Sequence, residues 1–402
     1  MSTPDTRFPD PPANDPTGRI AALTAAATPA AIALRRDLHA HPELAFAEHR
    51  TAAAIAAALT GLGLAPRTGI GRTGIVADIE GGRPGPTLAL RADMDALPIA
   101  ERTGLPFASQ TPGLMHACGH DLHSATLVAA ATVLTELAPQ LAGRVRLIFQ
   151  PAEETLQGAA AMIADGALDG VDRAIGFHNQ PDMPVGRFAH VPGATLAGAD
   201  TIEIVITGRS GHAAYPHNAT DPIVAAATLI TQLQTIVARE VPPTQAAVIT
   251  IGRIEGGTAA NIIPDEVRLL GTVRALSSSV RDLLQAAIAR QVAALEAALR
   301  TPARLIYTRG CPPLVNDPAV AAATVAALAA QFGADAIAEA APGMGAEDFA
   351  FFAERVPACQ IRIGSGAPGR ADRLHNSQYQ PDDSAINLGA QALARATLEL
   401  LS

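Results

Sequence analysis

Along the first part of the chain, apolar positions switch between helical spacing and short β-type runs cut off by Gly and Pro. Residues 27–39 carry the spacing of a helix face, and His41-Pro42 ends it, because the residue before a proline is pushed out of the helical region. Residues 48–62 are Ala-rich and predict a second helix, with Gly61 and Gly63 as exit signals. Residues 74–80 and 87–91 read as strands. Residues 122–137 are apolar on most faces, which predicts a buried helix with Asp121 as its N-cap and Pro139 beyond its end. A strand over 144–150, a helix over 158–167 and a strand over 173–178 follow.

From about residue 199 the texture changes. Strands over 201–208, 247–255, 267–275 and 304–308 enclose helices over 222–239 and 277–300, the latter introduced by serines that can cap it. The order strand, helix, strand, strand, helix, strand is that of a ferredoxin-like α/β sandwich. Residues 317–402 then return to the first texture, with a strand over 359–364. The pattern predicts an α/β protein: a tail over 1–18, one domain from 19–197 plus 310–402, and a second domain inserted in it over 198–309.

Composition narrows the partners. The chain has 402 residues, enough for two domains. Apolar residues make up 49% of it, yet no run of eighteen lacks Gly, Pro, polar or charged interruptions, so no membrane partner is expected. Lys plus Arg number 29 against 38 Asp plus Glu, a formal net charge of -9, which argues against nonspecific nucleic-acid binding. A small molecule is the expected partner. Residues 1–18, rich in Pro, Asp, Thr and Asn, read as a disordered tail and lack the basic start and apolar stretch of a secretory signal. Cysteines stand only at 118, 311 and 359, so a disulfide framework is not expected and a cytoplasmic location is.

Candidate chemistry gathers at strand ends. In Met115-His116-Ala117-Cys118-Gly119-His120-Asp121, the glycine lets the backbone bend so that a thiolate and an imidazole converge, which suits a borderline-soft divalent ion; a buried thiol beside an ordinary histidine is the alternative. Asp93 and Asp95 follow a strand and point to one side, toward the crevice at the strand ends or into a turn of Asx hydrogen bonds. Glu153 and Glu154 follow the 144–150 strand, as site residues or as the acidic start of a helix. His178 ends the next strand. Arg35, Arg36, His39 and His41 read as a solvated helix end. Metal-type ligands at three successive strand ends are the telling conjunction.

Together these stretches resemble the M20 metallopeptidases and amidohydrolases, in particular the branch of hippurate hydrolases, N-acyl-amino-acid deacylases and indole-acetyl-amino-acid hydrolases. The matching stretches are Arg35 to His39 with His41-Pro42-Glu43, Arg91 to Pro98, Met115 to Asp121, Gln150 to Glu154, Ser210 to His217, Ala260 to Pro264, Gly271 to Arg274 and Ala346 to Phe349. The resemblance implies a mixed-sheet, zinc-peptidase-like catalytic domain whose inserted domain is a lid that also dimerises. It makes Cys118, His120, Glu154, His178 and His375 the ligands of two divalent metal ions (Mn, Zn, Co or Ni), with Cys118 bridging. It makes Glu153 the general base for a metal-activated water. His212 becomes the donor to the oxyanion, Asn261 and Arg274 the binders of a substrate carboxylate, and Asp95 a residue that orients a ligand. The implied substrate is an N-acyl amino acid, with dipeptidase or carboxypeptidase action, or noncatalytic ligand binding, as alternatives. Thr155 and Asn376 depart from residues common in the family at these positions, Gly and His respectively.

Overall fold

The structure, a computed structural model, describes residues 15–367, 369–370 and 373–402, and among them the chain forms two compact units. The first takes the chain up to Gly193 together with Asn316–Ala340 and Phe352–Ser402, and the second takes Ala194–Val315 with Ala341–Phe351. Residues 341–351 therefore group with the second unit and not with the segment that follows it in sequence.

The first unit is built on an eight-stranded mixed sheet, in the order Arg67–Ile70, Gly74–Glu80, Ala142–Gln150, Arg83–Asp93, Arg173–Pro184, Ala358–Gly366, Phe188–His190 and Ile337–Glu339. From Ala142–Gln150 to Ala358–Gly366 these strands run parallel. Parallel strands need both faces covered, and their apolar runs show it: Leu88, Leu90, Val145, Leu147, Ile175 and Ile361 are all buried in one core. The carboxyl ends of such strands line the crevice where α/β proteins place their chemistry.

Helices differ from expectation at their starts. Residues 1–14 of the expected tail lie outside the described residues, but Pro16 to Gly18 form the first turn of a helix, Pro16–Ala40, with proline at a position where its missing N–H costs nothing. Pro29 sits inside this helix, next to Thr28, whose hydroxyl donates to the Thr24 carbonyl at 2.7 Å. By length and composition the helix could cross a membrane, yet Ile20, Ala31 and Leu38 on it are part of the core. The helix His120–Leu137 is buried over most of its length, as its apolar faces require. Its N-cap is Gly119 and not Asp121. Asp121 turns inward instead, and its Oδ2 accepts from Arg35 Nε at 2.8 Å and pairs with His39 Nδ1 at 2.8 Å. The solvated reading of that helix end is therefore wrong for two residues: Arg35 is 1% exposed and His39 is 0% exposed. Arg36 stays half-exposed, paired with Asp383.

In the second unit an antiparallel sheet runs Ala247–Gly256, Glu266–Ala275, Gly198–Thr207, Ala303–Arg309. Alternation along its strands sends Ile202, Ile204, Val267 and Leu269 to a core shared with Leu229, Leu233, Leu284 and Ile288 of the helices Pro222–Arg239 and Ser278–Leu299. Both helices have side-chain N-caps, Asp221 and Ser277. The connection is strand, helix, strand, strand, helix, strand, a ferredoxin-like arrangement.

Candidate metal centre

Three loop segments and one strand position bring the candidate donors together at the carboxyl ends of the parallel strands. Cys118 lies two residues before the buried helix, and Gly119 between it and His120 has φ 88°. A Cβ at Gly119 would also stand 2.5 Å from both Asn179 Nδ2 and Tyr379 Oη, so conformation and space both demand glycine. Glu153 and Glu154 follow the Ala142–Gln150 strand in a loop where two non-glycine residues, Ala152 and Leu156, are left-handed, with φ 53° and 55°. Each such residue costs roughly 1–2 kcal/mol, so the surrounding contacts must hold them. His178 lies on the Arg173–Pro184 strand. His375, also left-handed at φ 59°, comes from the segment before the last helix.

The ligand-type atoms form overlapping groups, each within 4.8 Å of one another: Cys118 with His120 and His178, Cys118 with Glu154 and His375, and His120 with Glu153 and Glu154. The thiol belongs to two triads at once. Cys118 Sγ lies 3.6 Å from His178 Nε2, and His375 Nε2 lies 3.4 Å from Glu154 Oε1. His120 Nε2 lies 3.9 Å from Glu154 Oε1 and 3.9 Å from Glu153 Oε2. Both His120 Nε2 and Glu154 Oε1 are buried without a hydrogen-bond partner. Leaving such groups unpaired is unfavourable, and a cation among thiolate, imidazole and carboxylate resolves it. The residues present fit a divalent-metal pair.

Neighbours fix which nitrogen faces the site. His120 Nδ1 pairs with Asp95 Oδ1 at 3.1 Å, and the other Asp95 oxygen accepts from Glu154 N at 3.0 Å, so Asp95 ties both donor loops together. His178 Nδ1 pairs with the Asn179 carbonyl at 2.7 Å, which turns Nε2 toward the thiol. Asp93 has no such freedom: Arg91 donates to one of its oxygens at 2.7 Å and His123 pairs with the other at 2.6 Å. Both of its oxygens are thus committed, and His120 Nε2 lies 3.7 Å from the nearer one, beyond hydrogen-bond reach. Asn179, which sequence reasoning passed over beside His178, donates from Nδ2 to the Cys118 carbonyl at 2.6 Å and accepts from Tyr379 at 2.6 Å and Ser365 at 2.9 Å.

The electrostatics match the crowding. Burial holds the Cys118 thiol well above its ordinary range, against the pull of His120. Burial alone would lower the His120 imidazole, but Asp93, Cys118 and Asp95 outweigh it and hold it high. Burial would raise Glu154, yet His375 and His120 bring it below the usual carboxylate range. His116 belongs to neither triad; burial pushes its imidazole down to about 3, so it is neutral.

The second unit carries the remaining candidates. A short ladder pairs Gly211–His212 with Ile262–Ile263, and Ala213 N donates to the Asn261 carbonyl at 3.0 Å, so His212 and Asn261 are neighbours. His212 is exposed, and its Nδ1 accepts from Ala214 N at 3.1 Å, which leaves Nε2 as the protonated nitrogen of a neutral ring. Arg274 lies on the Glu266–Ala275 strand, partly buried, and donates to the Val273 carbonyl at 3.2 Å.

Comparison with known proteins identifies the family. The family model for peptidase family M20/M25/M40 matches residues 89–399. An N-acetyl-L-cysteine deacetylase of Bacillus subtilis is 42% identical over 370 residues, covering 92% of this chain and 88% of the relative. A thermostable carboxypeptidase of Saccharolobus solfataricus is 37% identical over 369 residues, covering 90% and 93%. The crystal structure of a dinuclear metal-binding peptidase of the M20 family from Bacillus subtilis superposes with a TM-score of 0.84 at 35% identity, covering 94% of this chain and 99% of that one. An aminohydrolase structure from methicillin-resistant Staphylococcus aureus reaches 0.92 at 36% identity, covering 96% and 100%. The chain belongs to peptidase family M20/M25/M40. It is a metal-dependent enzyme that hydrolyses amide bonds.

Proposed function

We propose that this enzyme cleaves N-acyl amino acids into a carboxylic acid and a free amino acid. The observation that carries the reading is the pair of donor triads sharing Cys118, with Glu153 within 3.9 Å of His120 Nε2 at their edge. In it Cys118, His120, Glu154, His178 and His375 would hold two divalent ions, Mn, Zn, Co or Ni, with Cys118 belonging to both donor groups. When bound, the ions supply Lewis acidity that polarises the amide carbonyl and acidifies the attacking water. Glu153, next in sequence to the carboxylate that would hold metal, accepts the water's proton and hands it to the departing amine. His212 donates from Nε2 to the developing oxyanion, and Asn261 and Arg274 take the substrate carboxylate, a task suited to the planar guanidinium. Assembly as a homodimer through the second unit belongs to the same reading and is tested by sedimentation.

The deacetylase relative favours this substrate class, and the carboxypeptidase relative supports a second reading, cleavage of a peptide's terminal residue by the same groups. A panel of N-acetyl, N-benzoyl and indole-acetyl amino acids beside dipeptides, assayed with Mn, Zn or Co after chelation, separates them. Faster turnover of the acyl amino acids is expected. Faster turnover of dipeptides favours the second reading, and no turnover with any metal removes both.

A further inference from the structure

Glu48 stands at the N-cap position of the helix His49–Gly61, yet its side chain does not cap that helix. It is 0% exposed, and both carboxylate oxygens are committed elsewhere. Oε1 accepts from Ala152 N at 2.9 Å and Oε2 accepts from the Thr73 hydroxyl at 2.5 Å. Ala152 is the left-handed residue immediately before Glu153. Its carbonyl accepts from Gln157 N at 3.3 Å and Gly158 N at 3.2 Å, closing the loop back on itself. A Cβ at Gly158 would stand 1.5 Å from the Pro151 carbonyl oxygen, so the closure leaves no slack. On the other side of Glu153, the amide of Glu154 is held by Asp95. The two peptide N–H groups that flank Glu153 are thus each held by a buried carboxylate from a different part of the chain.

We infer that Glu48 is a positioning residue for Glu153, the counterpart of Asp95, which keeps Ala152 in its left-handed conformation and so aims the Glu153 carboxylate. An alanine in that conformation is unfavourable on its own, and the acceptor held against its amide by a buried side chain offsets that cost, so the clamp decides the loop's conformation. This role rests on Glu153 being the catalytic base.

The test is hydrogen exchange over the peptide from Gln150 to Gly158, together with steady-state kinetics on the panel substrate turned over fastest, for native protein, Glu48→Ala and Glu48→Gln. In Glu48→Ala, exchange at Ala152 accelerates while the rest of the sheet stays protected. In that variant kcat falls about 10- to 100-fold with KM and metal content little changed, the scale of losing a contact one shell from the chemistry. Glu48→Gln keeps a carbonyl acceptor for Ala152 N, and the Thr73 hydroxyl can turn to accept from its amide, so both readouts stay near native. Should Glu48→Ala not fold, Glu48→Asp, whose shorter side chain withdraws the acceptor from Ala152 N, is read in the same way. Native exchange at Ala152 in the informative variant, or an equal loss of kcat in Glu48→Gln and Glu48→Ala, overturns the inference. If native protein turns over nothing on the panel, the proposed function fails, while the exchange comparison still decides whether Glu48 holds the loop.

Discussion

The strand ends of the first unit and the core of the second are built by opposite rules. In the second unit the core between the sheet and its two helices is apolar, and the unit's buried ion pair is closed on itself: Arg281 holds Asp200 at 2.6 Å with Tyr307 donating to the same carboxylate at 2.7 Å. In the first, Asp93, Asp95, His120, Asp121, His123 and Arg91 are all 1% exposed or less, and three left-handed non-glycine residues, Ala152, Leu156 and His375, lie in the donor loops. One region minimises the number of polar groups that must be matched; the other collects them. The difference teaches where stability ends and chemistry begins, because a buried polar cluster and strained loops are held in place for the donors they aim and not for the stability they add.

The largest effect that sharpens the contrast is on the proposed base. Glu153→Gln lowers kcat about 10²- to 10⁴-fold, the usual contribution of a general base, with metal content and melting temperature near native. Elemental analysis and thermal melts beside the assay check this, and a fall in metal content would make Glu153 a ligand instead. Next come the two buried ion pairs. Asp200→Ala costs about 3–5 kcal/mol by leaving Arg281 buried without a carboxylate partner, and Asp121→Ala costs less because Arg35 keeps Asp383 at 2.8 Å. Denaturant titration measures both, but metal affinity should fall only in Asp121→Ala, whose neighbour is His120. Equal metal loss in both variants would erase the distinction between the regions.

Their pH responses should differ in sign. Burial would raise Asp200, but Arg281, Tyr307 and the Gly310 amide bring it below its ordinary 3.8. Its contribution is therefore present above that value and is lost as pH falls through the folded value. Burial would lower His39, but Asp121 and Glu101 outweigh both burial and the opposing Arg35 and hold it above its ordinary 6.5. That contribution is present below 6.5 and is lost as pH rises through the folded value. Stability measured against pH in Asp200→Asn and His39→Gln should lose the acid slope in the first and the alkaline slope in the second. The smallest effect is His212→Ala: on an exposed loop, it changes stability by less than about 0.5 kcal/mol while lowering kcat.

Legibility in the sequence follows the same division. Pro222–Arg239 and Gly74–Glu80 occupy the ranges their patterns predict, because burial on one face or two leaves a periodic trace. The candidate ligands at 118, 120, 154 and 178 and the candidate base at 153 stood out because they carry metal-type chemistry near the expected strand ends. Of their supports only Asp95 was named. Arg35 meets Asp121 across 86 positions and Glu48 meets Ala152 across 104, and no local pattern distinguishes a charge that will be buried by so distant a partner from one left in water. The left-handed residues were hidden for a related reason: Ala152 has no local need for that conformation, and only the loop's remote anchors impose it. The N-terminal turns from Pro16 were concealed by a composition that reads as a tail.

In the proposed site the Cys118 thiolate would serve both metals. Metal stoichiometry by elemental analysis, on native protein and Cys118→Ala after chelation and reconstitution with Mn, tests it most directly. The account expects two ions per native chain and at most one in Cys118→Ala; two tightly held ions in the variant would contradict it.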